Sequence, residues 1–233
     1  NVASPNLNST DLRIEVHACG INFADVLLVQ GKYQAKPDLP FIPGNEVAGT
    51  IIQKGADVDG FEVGQRVIAL SQGGGFAEEV VVDSNRVLPL SDRMDFVSGA
   101  SFPTTYGTSH LALEHRAHLT AGETLLVLGA SGGVGLTAVE IGKAMGATVI
   151  AAASSREKLA IAEEHGADHL INYVDENLRD AVMSLCGGVD VVYDPVGGDP
   201  FLQALRCMNW EGRIIVIGFA SGTIQKIPAN YLL

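Results

Sequence analysis

Over residues 125–135 the chain reads Leu-Leu-Val-Leu-Gly-Ala-Ser-Gly-Gly-Val-Gly, an apolar run that passes without a break into a glycine-rich turn. The run shows no apolar–polar alternation, so it is predicted to be a strand buried on both faces, and 134–145 carries a helical pattern behind it. Ala130, Gly132 and Gly135 occupy the three positions of a glycine fingerprint, with Ala in the first. At such a turn Gly132 lets backbone approach a pyrophosphate, and Gly135 lets helix pack closely on strand. Gly133 and Val134 open a helix whose free N–H groups and positive dipole end face the anion.

The rest of the chain falls into place around this turn. Before it, 12–17 alternates as a half-buried strand should, and short apolar runs follow at 47–52, 66–69 and 78–82 between Gly, Pro and Asp. The first hundred residues therefore read as a compact, barrel-like β unit. After Pro103 the rhythm changes. Unalternated strands at 125–128, 148–153, 189–193 and 213–217 are separated by helical patterns at 134–145, 156–165, 178–185 and 201–208, the order of a right-handed parallel α/β sheet. The expected domains are 1–103, β-rich, and 104–233, nucleotide-binding, with 104–115 a helix leading into the second. The acidic pairs Glu78-Glu79 and Glu163-Glu164 read as solvated faces, and Cys19 as core at a strand end.

Bulk properties narrow the function. A net charge of −12 opposes a nucleic-acid surface, which needs a basic face. No apolar run reaches the roughly 20 residues of a membrane span, and no membrane partner is expected. The three cysteines, Cys19, Cys186 and Cys207, are scattered and odd in number, which fits a reducing compartment rather than a disulfide framework. The expectation is a cytoplasmic protein; without an initial Met, a mitochondrial location stays open.

The second predicted strand of the nucleotide domain ends in Ala153-Ser-Ser-Arg-Glu-Lys158. A site for NAD usually places an acid about 20 residues beyond the glycines, against the ribose hydroxyls. Ser154 and Ser155 stand there instead, followed by Arg156 and Lys158. Hydroxyls and cations suit a 2′-phosphate, so the expected cofactor is NADPH.

Both halves together resemble the medium-chain dehydrogenase/reductases. The matching stretches include Gly-Ile-Asn-Phe-Ala-Asp at 20–25, Gly-Lys-Tyr at 31–33, Pro-Gly-Asn-Glu-Val-Ala-Gly at 43–49, Gly-Gln-Arg-Val at 64–67, the glycine turn, Asp-Pro-Val-Gly-Gly at 194–198 and Ile-Gly-Phe-Ala-Ser-Gly at 217–222. The segments 20–25 and 112–117 resemble the quinone oxidoreductase-like branch. The resemblance implies a GroES-like catalytic domain followed by a Rossmann-type domain. It also implies that such chains run on for roughly another hundred residues, so the Rossmann-type domain is expected to be C-terminally incomplete, as a fragment or as a natural short form, its parallel sheet ending at 213–217 with an open edge. A homodimer is expected of a full-length chain and not of this piece.

Zinc-dependent members of the family carry Cys where this chain has Asn22 and His where it has Asn45, and a neutral amide is a poor zinc ligand. The four-cysteine zinc lobe is also replaced by Gly73-Gly74-Gly75. No metal is therefore expected, and the substrate must be activated by its own conjugation, as a quinone or an enone is. By resemblance Asn22 and Thr108 lie at the nicotinamide, Lys158 and Tyr173 at the adenosine end and Phe219 at the nicotinamide ribose. Tyr33, in Gly-Lys-Tyr, is the candidate proton donor or quinone-stacking group. Leu27 stands where quinone reductases carry a second tyrosine, which leaves quinone and enone open and keeps a non-catalytic, NADPH-binding structural or sensor protein as the alternative.

Overall fold

The computed structural model describes residues 4–232. Two compact units divide the chain, Asn1–Thr104 and Thr105–Leu233.

The first unit is built on β1 (Asp11–Cys19), α1 (Phe23–Val29), β2 (Glu46–Lys54), β3 (Arg66–Leu70), β4 (Glu79–Asp83) and β5 (Val87–Pro89). Its strands form one antiparallel sheet in the order β4-β1-β2-β3-β5. Alternate residues of each strand point inward, and Leu12, Ile14, Val47, Ile51, Val67, Val80 and Val82 pack into one core. The helix α1 departs from the all-β expectation. Asn22 enters it with extended backbone, and the Asp25 carboxylate reaches back to the Asn22 N–H at 2.8 Å, which starts a helix in an apolar run too short to declare its period.

The helix α2 (Phe96–His110) starts eight residues before the expected 104, because Asp95 caps it, accepting from the Ser98 N–H at 2.8 Å. It runs through Pro103, whose missing donor removes one bond without ending it. The expected helix 104–115 is corrected accordingly. Its last part, Leu111–Arg116, is a π-helix, and the Ala117 N–H bonds Ala112 O at 2.8 Å, five residues back.

The second unit continues with β6 (Thr124–Leu128), α3 (Gly133–Ala144), β7 (Thr148–Ala153), α4 (Arg156–Glu164), β8 (His169–Asn172), α5 (Leu178–Cys186), β9 (Val189–Asp194), α6 (Gly198–Ala204) and β10 (Met208–Val216). The strands are parallel, in the order β10-β9-β6-β7-β8. Both faces of β6, β7 and β9 are buried, as their unalternated runs require, whereas the edge strand β10 is half-buried to exposed, which corrects the reading of 213–217 as a strand buried on both faces. Leu125 and Val127 join a core with Leu113, Ala138 and Tyr193, while Leu126 and Leu128 join another with Ile171, Leu178 and Val182. The helix expected at 201–208 begins earlier, at Gly198, and 208–212 instead belongs to the bulged start of β10. This happens because Gly197 and Gly198 both take positive φ, 71° and 62°, and turn the chain tightly after β9. Among the described residues no helix is long and apolar enough to cross a membrane.

Candidate functional site

From β6 the chain moves to β7 and β8 on one side and returns to β9 and β10 on the other, so the order reverses between β6 and β9. In open parallel sheets ligands bind beyond the carboxyl ends of strands at such a reversal. Two turns leave from there. The turn after β6 carries Gly129, Ala130, Gly132 and Gly135, and the turn after β9 carries Pro195 to Gly198. They pass so close that a Cβ on Gly129 would sit 2.8 Å from the Val196 side chain.

Gly135 has no room for a side chain at all, since a Cβ there would lie 2.3 Å from Gly129 O. At Gly132 the nearest atom would be 3.4 Å away, so that glycine leaves open backbone rather than avoiding a clash. Helix α3 has no side-chain cap at Gly132, which leaves the first-turn N–H groups of Gly133 and Val134 to a ligand. Buried Ala130 supports the turn from below.

At the end of β7, Ser154, Lys158 and Tyr173 come together. Lys158 Nζ donates to Ser154 Oγ at 3.0 Å, and the Tyr173 hydroxyl shares that serine, with burial pushing the phenol above its ordinary pKa. Ser155 caps α4, accepting from the Lys158 N–H at 3.4 Å. Arg156 is exposed beside them. Glu157, unremarked in the sequence, lies in the same first turn and bonds back to Ser155, which lowers its carboxyl pKa.

Helix α2 is tied to the turn by a hydroxyl network that the sequence concealed. Buried Ser109 Oγ lies 2.8 Å from both Thr137 Oγ1 and the Tyr193 hydroxyl, and donates to Val134 O at 2.9 Å. Burial pushes Tyr193 up to about 12. Half-buried Thr108 is the next residue along α2. Tyr106 donates to Glu140, whose other oxygen lies 2.6 Å from His165 Nδ1, and the Glu140 bond pushes the phenol up to about 12. Beyond β9, Asp194 Oδ1 accepts from the N–H groups of Val196 and Gly197, each at 2.8 Å. Asp194 Oδ2 has no partner among the described residues, and burial raises the pKa of this carboxyl. Phe219 reaches the same turn, its ring 3.5 Å from a Cβ built on Gly197.

In the first unit Asn22 and Asn45 are each held by a buried carboxylate. Asn22 Nδ2 donates to Glu46 Oε1 at 2.7 Å, and Glu46 Oε2 accepts from the Thr104 N–H at 2.9 Å. Asn45 Nδ2 donates to Asp25 Oδ1 at 2.9 Å, an oxygen that also accepts from the Gly44 N–H. Asp25 and Glu46 are 3% and 1% exposed. Neither carboxylate was singled out from the sequence; their pairing spans about twenty residues of chain, and only the fold closes it. Tyr33 is exposed on the loop after α1, with its N–H on Leu27 O at 3.2 Å and its hydroxyl free of any partner among the described residues.

Comparison with known proteins adds a lineage. Residues 8–92 match the family described as alcohol dehydrogenase GroES-like domain, and 133–233 the family described as zinc-binding dehydrogenase. The chain is 42% identical to the quinone oxidoreductase-like protein 2 homolog of Nematostella vectensis, over 99% of this chain and 64% of that protein. It is 43% identical to quinone oxidoreductase-like protein 2 of Mus musculus, over 100% and 67%. Among solved structures, the quinone oxidoreductase of Escherichia coli complexed with NADPH superposes with a TM-score of 0.92 at 28% identity, covering 100% of this chain and 72% of that one. That of Thermus thermophilus, solved also in complex with NADPH, gives 0.85 at 33% identity, covering 100% and 71%. The chain thus spans about two thirds of the length of these relatives.

Proposed function

Since this chain belongs to the quinone oxidoreductase family of the medium-chain dehydrogenase/reductases, we propose that it binds NADPH and passes a hydride from it to a quinone or another conjugated enone. The observation that carries the reaction class is the fate of the two asparagines. With their amide nitrogens donated to Glu46 and Asp25, Asn22 and Asn45 present no thiolate or imidazole for a Lewis acid, so the acceptor must delocalise charge itself. The sequence family described as zinc-binding is matched from residue 133 onward and does not include these positions.

The cofactor half of the proposal rests on the second unit. A side-chain-free Gly135, an uncapped α3 N-terminus and open backbone at Gly132 suit a pyrophosphate. The Lys158 ammonium, the Ser155 hydroxyl and Arg156 suit a 2′-phosphate, where a carboxylate at the end of β7 would repel it. When bound, NADPH supplies the hydride from its dihydronicotinamide ring. The chain's own part is to orient and to manage the proton. Asn22, its Nδ2 committed to Glu46, keeps its carbonyl oxygen as an acceptor, and Thr108 carries a hydroxyl; only the family resemblance assigns these two groups to the carboxamide. Hydride delivered to the conjugated system leaves negative charge on the substrate oxygen, and one proton, from the Tyr33 hydroxyl or from water, completes the reduction.

The test is NADPH oxidation followed at 25 °C with a panel of quinones and a panel of enones. Turnover with either supports the reading; NADPH binding without turnover on any acceptor would favour a non-catalytic role instead. Lys158→Ala is expected to weaken NADPH about tenfold relative to NADH, roughly 1.4 kcal/mol, by fluorescence titration.

A further inference from the structure

Beyond the reduction proposed above, and independent of it, we infer that the turn at Leu111–Arg116 forms a surface site for a late first-row divalent cation such as zinc, with His110, Glu114 and His115 as its ligands. These residues lie outside both family-matched stretches and far in sequence from positions 22 and 45.

The spacing alone conceals the site. On an α-helix residues five apart diverge by about 140°, so His115 would face away from His110. This segment is not α-helical. The Ala117 N–H bonds Ala112 O, five residues back, at 2.8 Å, and a turn of that kind stacks residue i+5 near residue i. The two imidazoles accordingly stand edge to face with centroids 5.7 Å apart. Glu114, four residues beyond His110, brings its Oε2 onto His110 Nε2. One ligand atom from each of the three lies within 4.8 Å of the others.

The turn is also held in its rotational setting. Its inner residues Ala112, Leu113 and Ala117 are buried in the core of the second unit, 4%, 0% and 1% exposed, so the three ligand side chains are presented together to solvent. Bonds of about 2.0–2.2 Å from zinc hold tetrahedral ligand atoms about 3.4 Å apart. Rotation of exposed side chains by about 1.5 Å therefore closes the set, with water in the remaining position. Two imidazoles with one carboxylate select zinc, nickel, cobalt or copper over magnesium and calcium, which prefer all-oxygen shells.

The experiment is equilibrium dialysis of the full chain against Zn²⁺ in a non-chelating buffer, with Co²⁺ absorption as a report on the ligand shell. One equivalent is expected to bind. His110→Asn and His115→Asn should each weaken binding at least tenfold, while His118→Asn, a nearby exposed histidine outside the cluster, should leave it unchanged. Zn²⁺ should raise the thermal midpoint of the parent and not that of His115→Asn. Glu114→Gln, an exposed and conservative change, keeps the test decisive if a histidine variant fails to fold. No retained zinc, or equal retention by parent and all the cluster variants, overturns the site. Neither result depends on NADPH oxidation, so this inference and the proposed reduction fail separately.

Discussion

The glycine turn of the second unit and the asparagine–carboxylate cluster of the first hold their groups by opposite means. At 129–135 the work is done by what is missing: no side chain at Gly135, no cap on α3, open backbone at Gly132. At 22–46 it is done by what is present, two buried carboxylates that gather two asparagines and the N–H groups of Asn22, Gly44 and Thr104. A backbone site is local and is disturbed by adding one methyl. A side-chain site is assembled from distant segments and is disturbed by removing an acceptor.

Gly135→Ala puts the largest strain on this contrast. Its Cβ would fall 2.3 Å from Gly129 O, so backbone must move, and NADPH affinity is expected to fall at least a hundredfold, about 3 kcal/mol. Gly132→Ala, with 3.4 Å of room, should fold normally and lose less. Fluorescence titration alongside circular dichroism distinguishes them, and equal losses would mean that close packing at Gly135 is not what the turn requires.

Asp25→Ala is the matching insult to the first unit. It strands donors from Asn22, Gly44 and Asn45 in a buried setting and should cost about 2–3 kcal/mol in denaturant unfolding. A loss below about 0.5 kcal/mol would show that water or relaxed backbone replaces the carboxylate without difficulty.

Glu123→Gln probes a long-range tie within the second unit. Arg213 on β10 donates to both Glu123 oxygens at 2.7 and 2.9 Å, and that bond holds the Glu123 carboxyl down at about 2. A depressed carboxylate stabilises the fold above its unfolded pKa, and the contribution fades as pH falls from about 4.5 to about 2. Because both side chains are partly exposed, about 1 kcal/mol is expected at pH 7. Thermal unfolding across pH should show parent and variant converging toward pH 2.

The smallest expected effect is none. Removing any metal with EDTA should leave the proposed NADPH oxidation unchanged, even when the surface histidine cluster has been loaded, because Asn22 and Asn45 offer neither thiolate nor imidazole and give their amide nitrogens to Glu46 and Asp25. A chelator-sensitive rate would break the contrast at its centre.

Legibility followed the same division. The strand–turn–helix at 125–135 was readable because each step is a matter of neighbouring residues, and the structure has β6, the turn and α3 within a residue or two of expectation. Ser154 and Lys158 were read from one stretch and Tyr173 was paired with Lys158 by resemblance, and in the structure Ser154 Oγ is bonded by both Lys158 and Tyr173. Helix α1 and the start of α2 were missed, because their signals are single capping acids, Asp25 and Asp95, inside short runs of ambiguous period. Pro103 misled, since a proline within a helix costs one bond and need not end it.

The sequence by itself determined the parallel sheet, the glycine turn with the helix it opens, and the absence of thiolate and imidazole at 22 and 45. These depend on residue type and on periods of two or about 3.6 residues, which survive without knowledge of distant contacts. Only the tertiary structure decided which buried carboxylates hold the two asparagines, how Ser109, Thr137 and Tyr193 tie α2 to the turn, and that His110 and His115 share a face. Those arrangements join residues far apart in the chain, or rest on a helix wound to an unusual pitch. No local preference encodes either, because the energy that selects them comes from burial and from satisfying polar groups once the core has closed.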